Sequence, residues 1–328
     1  MSEQPDRNLA LELVRATEAA ALAAAKWVGR GQKEAGDQAA VDALRLLLGT
    51  VRMDGIIVIG EGEKDQAPML YNGEKVGNGR GPLVDVAVDP VEGTNLLAKG
   101  VANSIAIVGL APRGAMWNPG PAFYMDKLVV GPEAKGKVDL DAPVAANLEA
   151  IAAAKGIRVE EVAVVILDRP RNKEKITAVR AAGARVRLIT DGDVAPALMS
   201  ALPETGVDAV MGIGGTPEGV ITACAMHGLG GDIQGRLAPQ STAERQAIET
   251  AGIPLDCKLG LTDLVKGDDH FFAATGITQG DFLRGVRYIA DGAITHSLVT
   301  RSQSGTWRVI ESHHRWDTLM RISAVSYH

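Results

Sequence analysis

The sequence predicts an α/β protein in two parts, and three observations predict it. Residues 8–51 carry apolar side chains at steps of three and four, residues 56–110 switch to short buried runs, and beyond about residue 145 β-branched runs alternate with helical stretches. A chain of 328 residues is long enough for two domains of roughly 100 to 200 residues each. The boundary is expected near residue 145, after the polar, glycine-containing stretch 131–143. That gives an N-terminal α+β part over 1–145 and a C-terminal βαβ part over 146–328.

Each element has its own warrant. Leu9, Leu13, Ala16, Ala20, Ala24 and Trp27 form one stripe of a helix whose alanine density favours that conformation. Gly29-Arg30-Gly31 breaks it, and a second helix places Ala40, Leu44, Leu47 and Val51 on one face, with Asp37 near its start. Residues 56–59 read as a strand running into Gly60-Glu61-Gly62-Glu63. Residues 83–88 read as a strand ending at Asp89-Pro90, and 104–110 as a third. In the second part, 162–167, 186–189 and 207–213 are strands, each followed by a helix, the last starting near Glu218; this is a parallel layout. A hairpin is expected from Ile294 to about Ser312, turning between Ser302 and Gly305.

Composition narrows the function. Lys plus Arg number 34 against 40 for Asp plus Glu, so a general nucleic-acid-binding surface is not expected and any anion site must be built locally. No apolar run reaches the length of a membrane helix and no basic leader precedes an apolar core, so a cytoplasmic protein without membrane contact is expected. Cys224 and Cys257 lack zinc-ligand spacing and are expected to be buried thiols. The six histidines show no ligand spacing. Aromatic residues make up 4% of the chain, too little for stacking platforms, so specificity must come from polar and charged groups.

Phosphate-loop, nucleophile-elbow and His-Glu-x-x-His motifs are absent, and what remains is carboxylates at strand ends. Asp89-Pro90-Val91-Glu92-Gly93-Thr94 is the sharpest. Two acids about 4 Å apart repel by roughly 4 kcal/mol at an effective dielectric near 20, so such a set calls for a cation or a proton. The segment reads equally as a metal site or as a turn and helix cap. Gly60-Glu61-Gly62-Glu63 also reads as a solvated turn, and Asp37 as a helix-dipole partner. Ligand sites in parallel sheets gather beyond the strand carboxyl ends, here Asp168-Arg169-Pro170-Arg171, Asp191-Gly192-Asp193 and Gly214-Gly215-Thr216-Pro217-Glu218-Gly219. Arg169 and Arg171 suit an anion, or a plain basic patch; Glu218 follows glycine amides suited to phosphate.

Taken jointly and in this order, Gly29-Arg30-Gly31-Gln32-Lys33 with Asp37, Gly60-Glu61-Gly62-Glu63 with Ala67-Pro68-Met69-Leu70, Asp89 to Thr94, and Gly214 to Val220 resemble class II fructose-1,6-bisphosphatases, the bacterial glycerol-regulon type. These belong to the lithium-sensitive, magnesium-dependent phosphatase superfamily, and the resemblance runs from about residue 8 to about 315. Gln32 and Arg169 depart from the family's usual acid and lysine. The resemblance implies a two-domain layered α-β-α-β-α fold, with a site in the cleft between the domains. It implies metal ligands at Asp37, Glu61, Asp89, Glu92 and Glu218 for Mg²⁺ or Mn²⁺. It implies substrate contacts at Glu92, Gly93, Thr94, Tyr124, Arg169, Pro170, Arg171, Asp191, Gly192, Asp193 and Gly215, and catalytic roles for Thr94, Lys33 and Glu61. The implied reaction is hydrolysis of the 1-phosphate of fructose 1,6-bisphosphate, a gluconeogenic step, in a homodimer or homotetramer. Sedoheptulose 1,7-bisphosphate, inositol phosphates or nucleotide bisphosphates are the alternative substrates, and a non-catalytic sugar-phosphate-binding regulator is the alternative of another class.

Overall fold

The computed structural model describes residues 9–62, 69–322 and 325. They form an α/β protein with two sheets. In chain order the elements are α1 (Leu9–Ala25), α2 (Lys33–Leu48), β1 (Asp54–Ile59), β2 (Lys75–Val76), β3 (Leu83–Glu92), α3 (Thr94–Lys99), β4 (Ile105–Pro112), β5 (Tyr124–Val130), α4 (Val144–Lys155), β6 (Ala163–Leu167), α5 (Lys173–Ala181), β7 (Arg185–Ile189), α6 (Val194–Ser200), β8 (Ala209–Gly215), α7 (Thr216–Leu229), β9 (Asp232–Leu237), α8 (Thr242–Thr250), β10 (Leu259–Gly260), α9 (Leu261–Leu264), β11 (Phe271–Gly276), β12 (Arg287–Ile289), β13 (Gly292–Arg301), β14 (Thr306–Arg315) and α10 (Trp316–Ile322). Packing divides the chain into a first unit, Met1–Met116 with Asp269–His328, and a second, Trp117–Asp268. The chain therefore crosses between units twice, where the sequence reading expects one boundary near residue 145. Stretch 131–143 lies inside the second unit, where the Asn147 side chain bonds both the amide and the carbonyl of Asp139 at 2.8 and 2.7 Å.

The first unit's sheet runs β12-β13-β11-β4-β3-β1-β2, with β14 also paired to β13. Among the described residues of this sheet only β1 and β3 run parallel; the other pairs are antiparallel. Helices α1 and α2 cover it, because Ala16, Ala20 and Ala24 form a fully buried stripe of small side chains that lets α1 approach β4, β11 and β13. Leu13, Leu44 and Leu48 fill the space beside Val86, Val108 and Ala273. A line of buried hydroxyls, Thr17 to Thr275 at 2.7 Å and Thr275 to Ser297 at 2.8 Å, ties α1 to the sheet without leaving a polar atom stranded. The expected C-terminal hairpin is β13 and β14, with Arg301 opposite Thr306.

The second unit's sheet runs β10-β9-β5-β8-β6-β7. The expected parallel layout holds for β6, β7 and β8, while β5 and β9 are antiparallel strands that periodicity does not reveal. Strand β5 interrupts its apolar run with Asp126 and Lys127, and β9 carries Gly235, whose missing side chain admits Met125: a Cβ there would lie 2.2 Å from its sulfur. Leu128, Leu148, Ile151, Val164, Ile166, Val179 and Met211 form this unit's core. Cys224 is buried in α7 as expected; Cys257 is exposed, contrary to expectation, because it follows α8 on a surface loop.

Candidate active site

In the first unit, the loop between α1 and α2 is bound to α3. The amides of Gly29 and Gly31, both left-handed at φ of 71° and 69°, donate to the carbonyls of Leu97 and Ala98 at 2.9 Å. One turn into α2, Gly36 allows close approach, since a Cβ there would lie 2.4 Å from Leu97. These contacts set Lys33 and Asp37, at the start of α2, beside the helix that begins with Thr94. Asp37 is the fifth residue of α2 and not its cap, and the Gln32 position before the helix makes no side-chain cap bond. Burial raises the Asp37 carboxyl; Lys33 opposes this and Glu34 adds to it.

Glu61 follows β1. Its amide donates to Leu70 O at 3.0 Å, and Gly60 is required, because a Cβ there would lie 2.0 Å from that same carbonyl oxygen. Burial, and then the charge of Asp37, pushes the Glu61 carboxyl up to about 7. Asp37 and Glu61 are therefore brought together electrostatically although they are far apart in sequence. Glu63, Ala67 and Pro68 lie outside the described residues.

Strand β3 does not end at Val88 as expected. It continues through Pro90 to Glu92, with an irregularity that sets Asp89 opposite Ile107 and Glu92 opposite Ile105. Pro90 is tolerated because it has no amide to contribute to the ladder and sits within the bulge. Asp89 Oδ1 accepts the Val91 amide at 3.1 Å, so part of its carboxylate holds the local turn. Glu92 is 2% exposed. Gly93, left-handed at φ of 82°, then starts α3 and delivers Thr94 as its first residue.

The second unit carries the remaining expected residues on three strand ends and one strand start. Arg171, after β6, donates from Nε to Ile213 O at 3.1 Å and lies over the Tyr124 ring, 4.5 Å from its centre. Pro170 opens the short 3₁₀ turn that carries Arg171. Arg169 is engaged with the backbone: its Nη atoms donate to Asp168 O at 3.1 Å and Thr190 O at 2.5 Å. After β7, Asp191 and left-handed Gly192 lead to Asp193, whose carboxylate is paired with Lys127 Nζ at 2.6 Å. Gly215 ends β8 and directly precedes α7, and Glu218 falls in the first turn of that helix. A Cβ on Gly215 would lie 1.8 Å from Glu218 Oε2, so the carboxylate folds back over the glycine. Burial raises the Glu218 carboxyl, Lys127 opposes this, and Asp193 and Asp191 add to it.

Among the described residues, no group of three or more His, Cys, Asp or Glu side chains stands in metal-holding geometry. The donor chemistry nonetheless fits a hard divalent cation. All the candidates are carboxylate oxygens, and the Asp37–Glu61 pair carries charge that burial and mutual repulsion disfavour. Magnesium typically takes one or two carboxylates and completes its shell with water and substrate phosphate, so it needs no cage built wholly by protein.

Two comparisons bear on identity. The family described as bacterial fructose-1,6-bisphosphatase, glpX-encoded, matches residues 7–314. The chain belongs to that family. It is 45% identical over 324 residues to "Fructose-1,6-bisphosphatase 1 class 2" of Escherichia coli strain K12, covering 95% of this chain and 96% of the relative. The same identity and coverage relate it to "Fructose-1,6-bisphosphatase class 2" of E. coli O6:H1 and of Shigella flexneri.

In this bisphosphatase-family chain the motifs are supported by residues that sequence reasoning missed. Buried Asn172 gives Nδ2 to Leu167 O and Ile213 O and accepts the Ile213 amide at 2.7 Å, joining the ends of β6 and β8 beneath Arg171. Glu244 accepts the amides of Phe123 and Tyr124 at 2.8 and 3.0 Å, fixing where β5 starts. Glu74 accepts the Leu70 amide and pairs with Arg45 at 2.6 Å, supporting the carbonyl that holds Glu61. Sequence carried no signal for these three, because a polar residue type does not show that folding buries it.

Proposed function

We propose that this chain hydrolyses the 1-phosphate of fructose 1,6-bisphosphate to fructose 6-phosphate and phosphate in a metal-dependent reaction serving gluconeogenesis. The observation that carries the reading is the match along 95% of the chain to class 2 fructose-1,6-bisphosphatases. Asp37, Glu61, Asp89 and Glu92 of the first unit and Glu218 of the second are the proposed holders of Mg²⁺ or Mn²⁺. When bound, the ion supplies charge neutralisation at the phosphoryl oxygens and acidifies water.

The chain's own residues do the rest. Thr94, presented at the start of α3, orients the attacking water, and Glu61 takes its proton. Lys33 offsets negative charge on the phosphoryl group as the bond to the sugar oxygen breaks. Glu92 and Gly93 contact the transferring group. Arg171, steadied by the Tyr124 ring and Ile213 O, receives the second phosphate, with Arg169 and Pro170 shaping its loop and Gly215 lining the opposite strand end. The Asp191-Gly192-Asp193 turn meets the sugar. We further propose a cytoplasmic homodimer or homotetramer.

The test is phosphate release with Mg²⁺ or Mn²⁺ from fructose 1,6-bisphosphate, sedoheptulose 1,7-bisphosphate, inositol 1-phosphate and 3′-phosphoadenosine 5′-phosphate. Selective turnover of the first, lost about 100-fold or more in Thr94→Ala, is the expected result. Preference for another substrate would replace fructose 1,6-bisphosphate, and tight sugar-phosphate binding without release from any would make the chain a regulator.

A further inference from the structure

A lysine on the inward side of a sheet is costly unless its charge is met, and Lys127 is met twice. The side chain projects from the middle of β5 and is 3% exposed; its Nζ lies 2.6 Å from Asp193 Oδ2, itself on a side chain 7% exposed, and donates to Gly215 O at 3.0 Å. Space for the pair is made by two glycines. A Cβ on Gly214 would lie 2.1 Å from Asp193 Oδ2 and 2.9 Å from Lys127 Nζ, and one on Gly219 would lie 3.4 Å from the lysine's Cδ. One ammonium thus joins the turn after β7 to the last residue of β8, where the second unit presents the 191–193 turn and, at the start of the next helix, Glu218.

We propose that Lys127 is a positioning residue for substrate binding, acting by fastening the Asp191-Gly192-Asp193 turn to the Gly214-Gly215 end of β8. The Asp193 carboxylate is then committed to the lysine. Its contribution to sugar recognition is the shape it gives the turn, and direct acceptance of sugar hydroxyls falls to Asp191 and the turn's backbone. Gly192 is left-handed at φ of 73°, and Asp193 precedes α6 with its carbonyl accepting the Ala197 amide at 3.3 Å, so the Lys127 contact to the Asp193 side chain adds an anchor from outside the turn and its helix. The inference rests on the proposed reading that the 191–193 turn belongs to the site.

The experiment compares wild type, Lys127→Arg, Lys127→Met, Asp193→Asn and the double variant Lys127→Met/Asp193→Asn. KM and kcat for fructose 1,6-bisphosphate are measured in each, together with the Kd of fructose 6-phosphate by calorimetry. Removing the ammonium alone strands a buried carboxylate and can unfold the unit, so the neutral double variant, checked by circular dichroism, keeps the test valid. Expected are about tenfold increases in KM and in the Kd of fructose 6-phosphate in Lys127→Met and in the double variant, with kcat within about threefold, and substantial rescue by Lys127→Arg. The double variant is expected to be no worse than the worse single one, because the two residues act as one anchor. A tenfold weakening in Asp193→Asn with wild-type binding in Lys127→Met would overturn the proposal and make the carboxylate a direct sugar ligand; fully additive losses would overturn it as well. Wild-type protein that neither releases phosphate nor binds fructose 6-phosphate would instead defeat the functional reading, an outcome told apart by the wild-type arm alone.

Discussion

Glu74 lies outside every motif, yet the structure gives it control over the segment that carries Glu61. It is 5% exposed; one carboxylate oxygen accepts the Leu70 amide and the other pairs with Arg45 Nε at 2.6 Å. Leu70 is fully buried and held in the left-handed region at φ of 54°, a conformation that costs a leucine about 1 kcal/mol or more and persists only where surroundings enforce it. Its carbonyl in turn accepts the Glu61 amide at 3.0 Å, and the Asn72 amide donates to Gly62 O at 2.9 Å. In Glu74→Ala the Arg45 pair contributes little to the loss, at most about 1 kcal/mol, because half of the arginine is solvent-exposed. The stranded Leu70 amide dominates: a bond to a charged group is worth about 1.5 to 3 kcal/mol. The expected destabilisation is therefore about 2 to 4 kcal/mol, and Glu74→Gln, which keeps an acceptor oxygen, loses about half of it. Native-state hydrogen exchange reads this locally. The amides of Leu70 and Glu61 should exchange at least about 30-fold faster in Glu74→Ala, the equivalent of about 2 kcal/mol, and the metal concentration needed for half-maximal activity should rise. Unchanged protection at both amides, with stability within about 0.5 kcal/mol of wild type, would refute the chain of support from Glu74 to Glu61.

Glu61 itself makes metal-free stability pH-dependent. Its folded pKa of about 7 lies above its ordinary 4.5, so the favourable term is fully present below 4.5 and is lost as pH rises through 7, an upper bound of about 3 kcal/mol at about 1.4 kcal/mol per pH unit. Melting in chelator from pH 5 to 8.5 should fall more steeply for wild type than for Glu61→Gln, and equal slopes would remove the argument. Arg171→Ala should raise KM for a bisphosphate about tenfold or more, since a charge-assisted phosphate contact is lost, while kcat changes little; an unchanged KM would eliminate the distal phosphate seat. Leu44→Ala, at a fully buried position under the first unit's sheet, should cost about 2 to 5 kcal/mol in denaturant unfolding.

Local chemistry was legible in the sequence alone. Apolar periodicity located α1, α2 and the C-terminal hairpin, and β-branched runs located β6, β7 and β8, because these signals depend only on neighbours a few residues away. The acids at strand ends were legible for the same reason: a strand, then glycine or proline, then a carboxylate is a local pattern. Tertiary pairing decided the rest. Strand β5 joins the second sheet although it precedes the expected boundary, and 269–328 return to the first unit, since which strands pair depends on contacts distant in sequence. The continuation of β3 through Pro90 needed the bulge against β4 to become visible. Lys127, Asn172, Glu244 and Glu74 became structural supports only once folding buried them, because a polar side chain in a sequence does not state which distant amide, carbonyl or charge will meet it. Which acids follow which strands is written in neighbouring residues; which buried partners hold them in place depends on packing between residues far apart in the chain.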